Sequence, residues 1–360
     1  MDREIIIDGS SVNDNTECYV IAEIGHNHQG NLETAKKMFS VAKDCGADAV
    51  KLQKRDNHSL YVKDLYDKPY DHENSYGATY GEHREALEFG WDEYQELKQH
   101  AREIGITMFA TAFDFSSADF LAKLDVPAFK IASGDLKNIP LLTCIAKFKK
   151  PMIVSTGGGT MEDVQRAYDA IMPINQQLCV LQCTSGYPAA FEELNLGVIT
   201  TYRHRFPNII IGLSSHDNGI AMPVAAYMLG ARVIEKHFTL NHTWKGTDHA
   251  FSLEPIGLRK MIRDLRRVRV AMGDGVKKIY ESEVSHIAKM GKKLVAARDL
   301  PAGHSIRLED IAIKSPGGGM PPYELNKVIG RVTLQALKAD EDIMFEILNG
   351  AQDWSEVATS

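Results

Sequence analysis

Side chains able to bind a metal ion, hold an anion or transfer a proton recur through this chain of 360 residues, each near the end of a short apolar run. Imidazoles bind transition metals, ammonium groups hold phosphates, and carboxylates act as general acids or bases. At the run ends lie Glu23, Lys51, Gln53, Thr111, Lys130, Ser133, Ser155, Thr156, Ser185, Ser214, His216, Asp217, Glu235 and His237. Because buried charges must be paired, so many polar groups predict a functional site if the runs end at one face.

A divalent metal site is predicted at His216 and His237, which end the seventh and eighth runs. If those runs are neighbouring strands, one cation bridges the imidazoles, and water and substrate oxygens fill its other positions. Two imidazoles suit Mn²⁺, Fe²⁺, Co²⁺ or Zn²⁺ better than Ca²⁺. The alternative is that each histidine hydrogen-bonds a neighbouring strand; the flanking Glu235 and Asp248 favour the metal. His26 and His28 alternate along the chain, so we expect loop residues near the site and not a second metal pair.

Two lysines indicate a binding place for a small anion. Lys51 and Lys130 would lie over the same face, and the hydroxyls of Ser133, Ser155 and Ser214 would add hydrogen bonds. This set favours a molecule that carries phosphate and carboxylate. The alternative, in which one lysine only pairs with a carboxylate, stays open.

Three carboxylates are candidates for acid and base chemistry. Glu23 and Glu235 end strands, and carboxylates near a cation can have well-separated pKa values. Asp248, just after the eighth run, would orient a substrate or serve as a further carboxylate. Its alternative is a solvated loop position, since carboxylates are normally exposed.

Eight β-rich apolar runs would position these groups. They cover residues 18–25, 48–53, 106–111, 127–134, 151–157, 178–185, 208–215 and 231–238. Continuous apolar runs are typical of strands buried on both faces of a parallel sheet. Amphipathic helical patterns, as at 91–104 and 258–272, lie between them. Alternating strands and helices predict an α/β fold, a (β/α)₈ TIM barrel, with its site at the carboxyl ends of the strands.

The remaining segments divide the chain. Residues 54–90 form a long insertion after the second strand, and such loops are usually functional. The predicted organisation is a TIM-barrel catalytic domain at 1–272, a linker at 273–292, a small, mostly β domain at 293–350 and a tail at 351–360. Short runs separated by Gly/Pro turns predict the β module.

Composition excludes several classes of function. Lys and Arg total 41 against 48 Asp and Glu, a formal net charge of −7, which argues against nucleic acid as the main partner. The start of the chain lacks the basic and apolar regions of a signal peptide, and no apolar stretch of about 18 residues appears. Five cysteines without a Cys-x-x-Cys pair favour reduced thiols. We therefore expect a cytoplasmic protein without membrane partners.

The motifs of the barrel resemble those of the sialic acid synthase family, which includes N-acetylneuraminate synthases and N-acylneuraminate-9-phosphate synthases. They fall in order over residues 19–255 as IAEIGHNHQG, GADAVKLQ, FKIASGD, STGGGTM, LQCTSGYP, IGLSSHDNG, EKHFTL and TDHAFSLEP. The segment LVAARDLPAGHSIRLEDIAIKSPGGG is similar to the family's antifreeze-like (SAF) domain. The resemblance covers nearly the whole chain.

This resemblance implies an N-acetylneuraminate synthase that condenses phosphoenolpyruvate with N-acetylmannosamine and releases phosphate. It assigns a divalent metal, most often Mn²⁺ with Mg²⁺ or Co²⁺ as alternatives, to His216 and His237. Positions matching the phosphoenolpyruvate site are Lys51, Lys130, Ser133, Ser155 and Ser214. Those matching the acid/base pair are Glu23 and Glu235, and those matching the amino-sugar site are Asn74, Ser185, Tyr187 and Asp248. A domain-swapped homodimer is also implied.

One departure leaves the acceptor open. Many bacterial members carry Lys-Arg-Pro-Gly in the small domain, where this chain has Ser315 between Lys314 and Pro316. The alternatives are therefore a 9-phosphate synthase that uses N-acetylmannosamine 6-phosphate, or a synthase of legionaminic-type acids. Rivals of other classes are a Schiff-base aldolase with Lys130 or Lys51 as nucleophile, and a non-catalytic sugar-binding protein.

Overall fold

The structure is a computed structural model that describes residues 3–350. It consists of two compact units that divide between Gly273 and Asp274. The predicted tail at 351–360 lies outside the described residues. Within the part of the chain described, no helix is both long enough and apolar enough to cross a lipid bilayer.

The first unit is built around a closed barrel of eight parallel strands, as predicted. The strands of this unit are β1 (Glu4–Ile7) and β2 (Ser10–Asn13), which lie outside the barrel, and the eight barrel strands β3 (Tyr19–Gly25), β4 (Ala49–Lys54), β5 (Thr107–Ala112), β6 (Phe129–Ile131), β7 (Met152–Ser155), β8 (Leu178–Cys183), β9 (Ile210–Ser215) and β10 (Val233–His237). Strands β3 to β10 follow one another around the barrel, and β10 closes it against β3. Each coincides with one of the eight apolar runs because both faces of a barrel strand are buried.

Helices surround the barrel. They are α1 (Leu32–Cys45), α2 (Asn57–Leu60), α3 (Lys63–Tyr66), α4 (Tyr80–Glu85), α5 (Trp91–Ile104), α6 (Phe115–Lys123), α7 (Ile139–Ala146), α8 (Met161–Ile171), α9 (Val198–Arg205), α10 (Ala221–Met228) and α11 (Pro255–Met272). The bounds of α5 match the predicted 91–104, and α11 begins three residues before the predicted 258. Helices α2 to α4 belong to the long insertion, so that segment is structured and follows β4 at the carboxyl end of the barrel.

A β-hairpin at the start of the chain was not predicted. Strands β1 and β2 pair in antiparallel fashion through the turn Asp8-Gly9, in which both residues have positive φ, 50° and 78°. That is the geometry of a two-residue type I′ turn, and the dipeptide Asp-Gly is its sequence signal. Asp8 accepts a hydrogen bond from Thr107 at the start of β5. The hairpin therefore lies at the amino end of the barrel, away from the predicted site.

The second unit contains small antiparallel sheets, as predicted for the mostly β module. Its elements are α12 (Glu281–Met290), β11 (Lys293–Ala296), β12 (Ile311–Lys314), α13 (Leu325–Val328), β13 (Val332–Thr333) and β14 (Leu348–Asn349). A small core of buried aliphatic side chains, including Leu294, Ile306, Val328 and Ile343, holds them together. A core this small leaves the module dependent on its polar contacts.

The main polar contact of this unit is the buried carboxylate of Asp310, which is 0% exposed. It accepts hydrogen bonds from Arg298 Nη2 at 2.6 Å, His304 Nε2 at 2.7 Å and the Arg307 amide at 2.9 Å. Burial alone would raise the pKa of Asp310, but the bonds from His304, the Arg307 amide and Arg298 hold that pKa well below its usual value. The contribution of these hydrogen bonds to the stability of the second unit is thus fully present at pH values above the ordinary carboxylate pKa. It is lost as the pH falls toward the lowered pKa of Asp310.

We expect Asp310→Asn to destabilise the second unit by about 2 kcal/mol or more, because it leaves buried donors without an anionic partner. Hydrogen exchange of the full chain should show lost protection in β11 and β12. The matched control is Glu309→Gln at the neighbouring position, whose side chain is 65% exposed. Glu309→Gln should change the stability of the second unit very little. Equal loss of stability in the two variants would contradict this prediction.

Candidate active site

One cavity of about 890 Å³ lies at the carboxyl end of the barrel strands. All the residues that were assigned a catalytic, substrate-binding or metal-binding role from the sequence line it: Glu23, Lys51, Asn74, Thr111, Lys130, Ser133, Ser155, Ser185, Tyr187, Ser214, His216, Glu235, His237 and Asp248. They come from the ends of most barrel strands and from the loops after them. The predicted set is therefore brought together in space, as the barrel geometry requires.

The floor of the cavity is a network of buried lysines and glutamates. Lys51 Nζ lies 2.6 Å from Glu23 Oε2 and 3.9 Å from Glu235 Oε2, and it donates to Thr111 Oγ1 at 2.8 Å. Lys130 Nζ donates to Ser155 Oγ at 2.7 Å and lies 3.8 Å from Glu235 Oε1. Both lysines are 2% exposed. Glu235 thus lies between two cations. The sequence left open whether a lysine of this site pairs with a carboxylate, and in the structure both lysines do.

The two glutamates differ in their electrostatic surroundings. Burial tends to raise the pKa of Glu235, but Lys130 and Lys51 outweigh it, and the pKa is lowered. Burial also raises the pKa of Glu23, and there the nearby charge of Glu235 adds to it, so the net shift is upward despite Lys51. Burial lowers the pKa of Lys130. Two carboxylates with opposite shifts are suited to different roles in proton transfer.

The wall after β6 and β7 supplies small hydrogen-bonding groups. The Gly157 amide donates to Ser133 Oγ at 2.9 Å. A Cβ at Gly157 would collide with Ser185 Oγ and approach Ser133 Oγ to 2.8 Å, so any larger residue there would displace both serine hydroxyls. This wall continues from the ammonium group of Lys130, and hydroxyls beside a lysine form a suitable place for a phosphate.

His216 and His237 face each other across the ends of β9 and β10, with ring centroids 5.3 Å apart. His216 Nδ1 is 2.9 Å from the Thr184 carbonyl oxygen, so in the neutral ring this nitrogen is the donor and Nε2 carries the lone pair. His237 Nδ1 is buried without a hydrogen-bond partner among residues 3–350 and lies 3.7 Å from Asp248 Oδ2. Burial lowers the pKa of His237 to about 3, which keeps its ring neutral.

This donor set fits a divalent cation held by two imidazoles. Over the described part of the chain, no group of three or more His, Cys, Asp or Glu side chains is arranged to hold a metal ion. The remaining ligands would therefore be water and substrate oxygens, as expected from the sequence. A site with open positions is typical of catalytic metals and not of structural ones.

The rim near the histidines is formed by two loops joined to each other. Asn74, in the long insertion, accepts a hydrogen bond from the Gly246 amide at 2.9 Å, and Thr247 Oγ1 donates to Asp248 Oδ1 at 2.8 Å. The Tyr187 ring lies 4.2 Å from that of His216, centroid to centroid, and is 56% exposed. Asp248 is 25% exposed, so it is not the solvated loop residue of the alternative reading.

Several residues near the site differ from the sequence expectation. Asp217 was expected at the same face, but it pairs with Lys236 at 3.0 Å, and Thr156 donates to the Leu181 carbonyl; neither lines the cavity. His28 is a loop residue, as expected from the sequence; its ring stacks on that of Phe89 at 4.2 Å, centroid to centroid, and it does not line the cavity.

Arg55 and Arg84 line the cavity and were not predicted. The sequence did contain a signal for them, because both arginines lie in the long insertion that was expected at the carboxyl end of the barrel.

Comparison with known proteins identifies the family. The NeuB family profile matches residues 38–277, and a SAF domain profile matches residues 293–346. The chain is 41% identical to the N-acetylneuraminate-9-phosphate synthase of Homo sapiens over 92% of this chain and 93% of that protein. It is 35% identical to an N,N′-diacetyllegionaminic acid synthase of Legionella pneumophila, over 91% and 94% of the two chains.

A solved structure agrees with these matches. The crystal structure of an N-acetylneuraminic acid synthetase from Leptospira borgpetersenii, in complex with citrate, superimposes with a TM-score of 0.70 at 30% identity. It covers 80% of this chain and 96% of that one. The chain is therefore an enzyme of the NeuB family of sialic and related nonulosonic acid synthases, with a TIM barrel followed by a SAF domain.

Proposed function

We propose that this enzyme condenses phosphoenolpyruvate with an open-chain N-acylmannosamine and releases inorganic phosphate, as an N-acetylneuraminate-type synthase. The observation that carries the proposal is the convergence of two buried lysines, Lys51 and Lys130, on one cavity that also holds a pair of facing histidines. Two buried ammonium groups match a substrate with both phosphate and carboxylate. The histidines lie beside Tyr187 and Asp248, which provide a place for a sugar.

The metal belongs to the same proposal. His216 and His237 would hold it, and Mn²⁺ is the expected ion, with Mg²⁺ or Co²⁺ as alternatives. A divalent cation bound there supplies Lewis-acid polarisation of a carbonyl oxygen.

The side chains of the cavity then perform the following tasks. Lys130, Ser155 and Ser133 bind the phosphate, and Lys51 adds a second positive charge. Asn74, Ser185, Tyr187 and Asp248 orient the sugar so that its aldehyde carbon faces carbon 3 of phosphoenolpyruvate. Holding both reactants in one geometry removes much of the entropic barrier to their reaction.

The bonds change in a balanced sequence. A bond forms between carbon 3 and the aldehyde carbon, whose oxygen takes up a proton. Water adds at carbon 2 and gives its proton to Glu23, which lies 2.6 Å from Lys51. The hydroxyl left on carbon 2 then gives its remaining proton to the phosphate as the bond between carbon 2 and the phosphate oxygen breaks, which leaves a ketone and hydrogen phosphate, while Lys130, Lys51 and the serines stabilise the departing charge. The proton that Glu23 takes from water balances the one taken up by the aldehyde oxygen, so no external acid or base is consumed.

Phosphate release by the purified protein tests this function. With phosphoenolpyruvate, Mn²⁺ and N-acetylmannosamine or its 6-phosphate, we expect release that requires the sugar and stops after treatment with EDTA. Metal analysis of the dialysed protein should show bound cation in the wild type and loss of most of it in His237→Ala. Release without acceptor, or no release with any N-acyl hexose, would contradict the proposal.

A separate control addresses the aldolase rival. Borohydride in the presence of pyruvate traps a covalent adduct on Lys130 or Lys51 only if a Schiff base forms. Both lysines are engaged by carboxylates or hydroxyls, so we expect no adduct. The non-catalytic alternative is set aside because the chain belongs to the same family as synthases to which it is 35% and 41% identical. The homodimer stays a prediction from the resemblance, and the cytoplasmic location stays a prediction from the composition of the chain.

A further inference from the structure

Two arginines of the cavity have no part in the proposed chemistry. Arg55 follows β4 and is 7% exposed, and Arg84 lies in α4 of the long insertion. Both line the same cavity as the lysines and histidines. A buried guanidinium group is costly unless anions surround it. Their presence at the edge of a substrate cavity therefore needs an explanation.

The anionic partners of these arginines are few. Glu88 lies 3.8 Å from Arg55 Nη1, but its other oxygen is 3.3 Å from Lys54 Nζ, so one carboxylate serves two cations. Arg84 donates from Nε and Nη2 to the phenol oxygen of Tyr80, at 3.1 and 2.9 Å. The described residues thus leave excess positive charge at this end of the cavity.

A single imidazole lies between the two arginines and can accept a hydrogen bond from one of them. His26 Nε2 lies 3.0 Å from Arg55 Nη1, and His26 Nδ1 lies 3.4 Å from Arg84 Nη1. Burial and both guanidinium groups lower the pKa of His26, so it stays neutral and adds no charge. Asp248 is the other acid in this part of the site, and it already lies 3.7 Å from His237. The arginines are thereby held side by side with nitrogens available to one anion.

The position of this arginine pair relative to the reacting groups defines what it can bind. Arg55 Nη2 donates to Gln53 Oε1 at 2.6 Å, and Gln53 Nε2 donates to Glu23 Oε1 at 2.7 Å. A single side chain, that of Gln53, thus separates Arg55 from the catalytic carboxylate of Glu23, and the arginine pair lies on the β4 side of the cavity. Of the groups proposed to bind phosphoenolpyruvate, Lys130 and Ser155 lie in β6 and β7 and Ser133 follows β6, so a second, separate anion is expected at the arginines.

We propose that Arg55 and Arg84 bind a phosphate ester at the far end of the acceptor sugar, so that the acceptor is an N-acylmannosamine 6-phosphate. This inference rests on the proposed function. Carbon 6 is the end of the open-chain sugar opposite the aldehyde, and two guanidinium groups match the geometry of a phosphate. The acceptor then differs from the unphosphorylated sugar that was the first expectation from the sequence.

Acceptor discrimination by the wild type and by Arg84→Gln tests this inference. With the full-length protein, Mn²⁺ and phosphoenolpyruvate, kcat/KM is measured for N-acetylmannosamine and for its 6-phosphate. We expect the wild type to prefer the 6-phosphate by about 100-fold or more, and Arg84→Gln to lower only the 6-phosphate value, by about 10- to 100-fold. Arg84→Lys should recover part of the loss. Arg84 is the cleaner target because Arg55 contacts Gln53 and, through it, Glu23.

The matched control is Lys137→Gln, which also removes one positive charge from the lining of this cavity but after β6. It should leave the ratio of the two acceptors within about twofold of the wild type. An equal or reversed preference in the wild type, or equal loss with both acceptors in Arg84→Gln, would overturn the arginine assignment while leaving the condensation intact.

A binding measurement separates this inference from the proposed function. Calorimetric titration of N-acetylmannosamine 6-phosphate without phosphoenolpyruvate should show binding that Arg84→Gln weakens by at least tenfold. That result supports the arginine site even if no phosphate release is found, which would refute only the reaction. Equal affinity of the wild type and the variant would refute the site.

Discussion

Lys130→Met should lower kcat/KM for phosphoenolpyruvate by about three orders of magnitude. Lys130 is 2% exposed, donates to Ser155 Oγ at 2.7 Å and lies 3.8 Å from Glu235. Methionine fills a similar volume but cannot stabilise the charge that builds on the departing phosphate, and a single such donor is worth about 10²- to 10³-fold. The loss of the pairing with Glu235 adds to this effect. Steady-state phosphate release measures it, and a thermal melt shows whether the variant is folded.

The control for this substitution is Lys123→Met at the end of α6, an exposed lysine outside the cavity lining. We expect its activity to equal that of the wild type. If Lys130→Met is folded and retains more than a tenth of wild-type activity, Lys130 does not bind the phosphate.

Glu23→Gln should reduce kcat by about 10²- to 10⁴-fold, the range for a lost general acid or base, with a smaller change in KM for phosphoenolpyruvate. Glutamine keeps the size of the side chain and can still accept a hydrogen bond from Gln53, which lies 2.7 Å from Glu23. It cannot take a proton from the attacking water. Separate determination of kcat and KM distinguishes this role from one in binding.

An exposed acid serves as the comparison for Glu23. Glu162→Gln, in α8, changes charge equally and should leave both constants unaltered. A large rise in KM with unchanged kcat for Glu23→Gln would assign Glu23 to substrate binding and remove it from proton transfer.

The barrel and most of its cavity follow from local sequence patterns. Parallel strands buried on both faces are continuous apolar runs, so all eight were identifiable. Once the strands are placed, the polar residues at their carboxyl ends are expected to meet at one face of the barrel. Lys51, Lys130, Glu23 and Glu235 do line one cavity there. The roles assigned to them come from chemistry and resemblance, and they stay predictions until the variants are measured.

Features that depend on tertiary context were missed. Arg55 and Arg84 meet because an insertion with helices of only four to six residues folds back over the barrel, and such short helices have no usable periodicity. Asp217 was expected in the cavity but lies against Lys236 because the chain turns after β9. The Asp8-Gly9 hairpin, in contrast, had a readable signal in its turn residues.

The most direct test of the account is to follow the new carbon–carbon bond. Phosphoenolpyruvate labelled with ¹³C at carbon 3 is incubated with Mn²⁺, the enzyme and N-acetylmannosamine 6-phosphate labelled at carbon 1. We predict a product whose two labelled carbons show one-bond ¹³C–¹³C coupling, formed in step with phosphate release. Phosphate release with both labels uncoupled would mean that the cavity only hydrolyses phosphoenolpyruvate, and it would contradict the proposed synthase reaction.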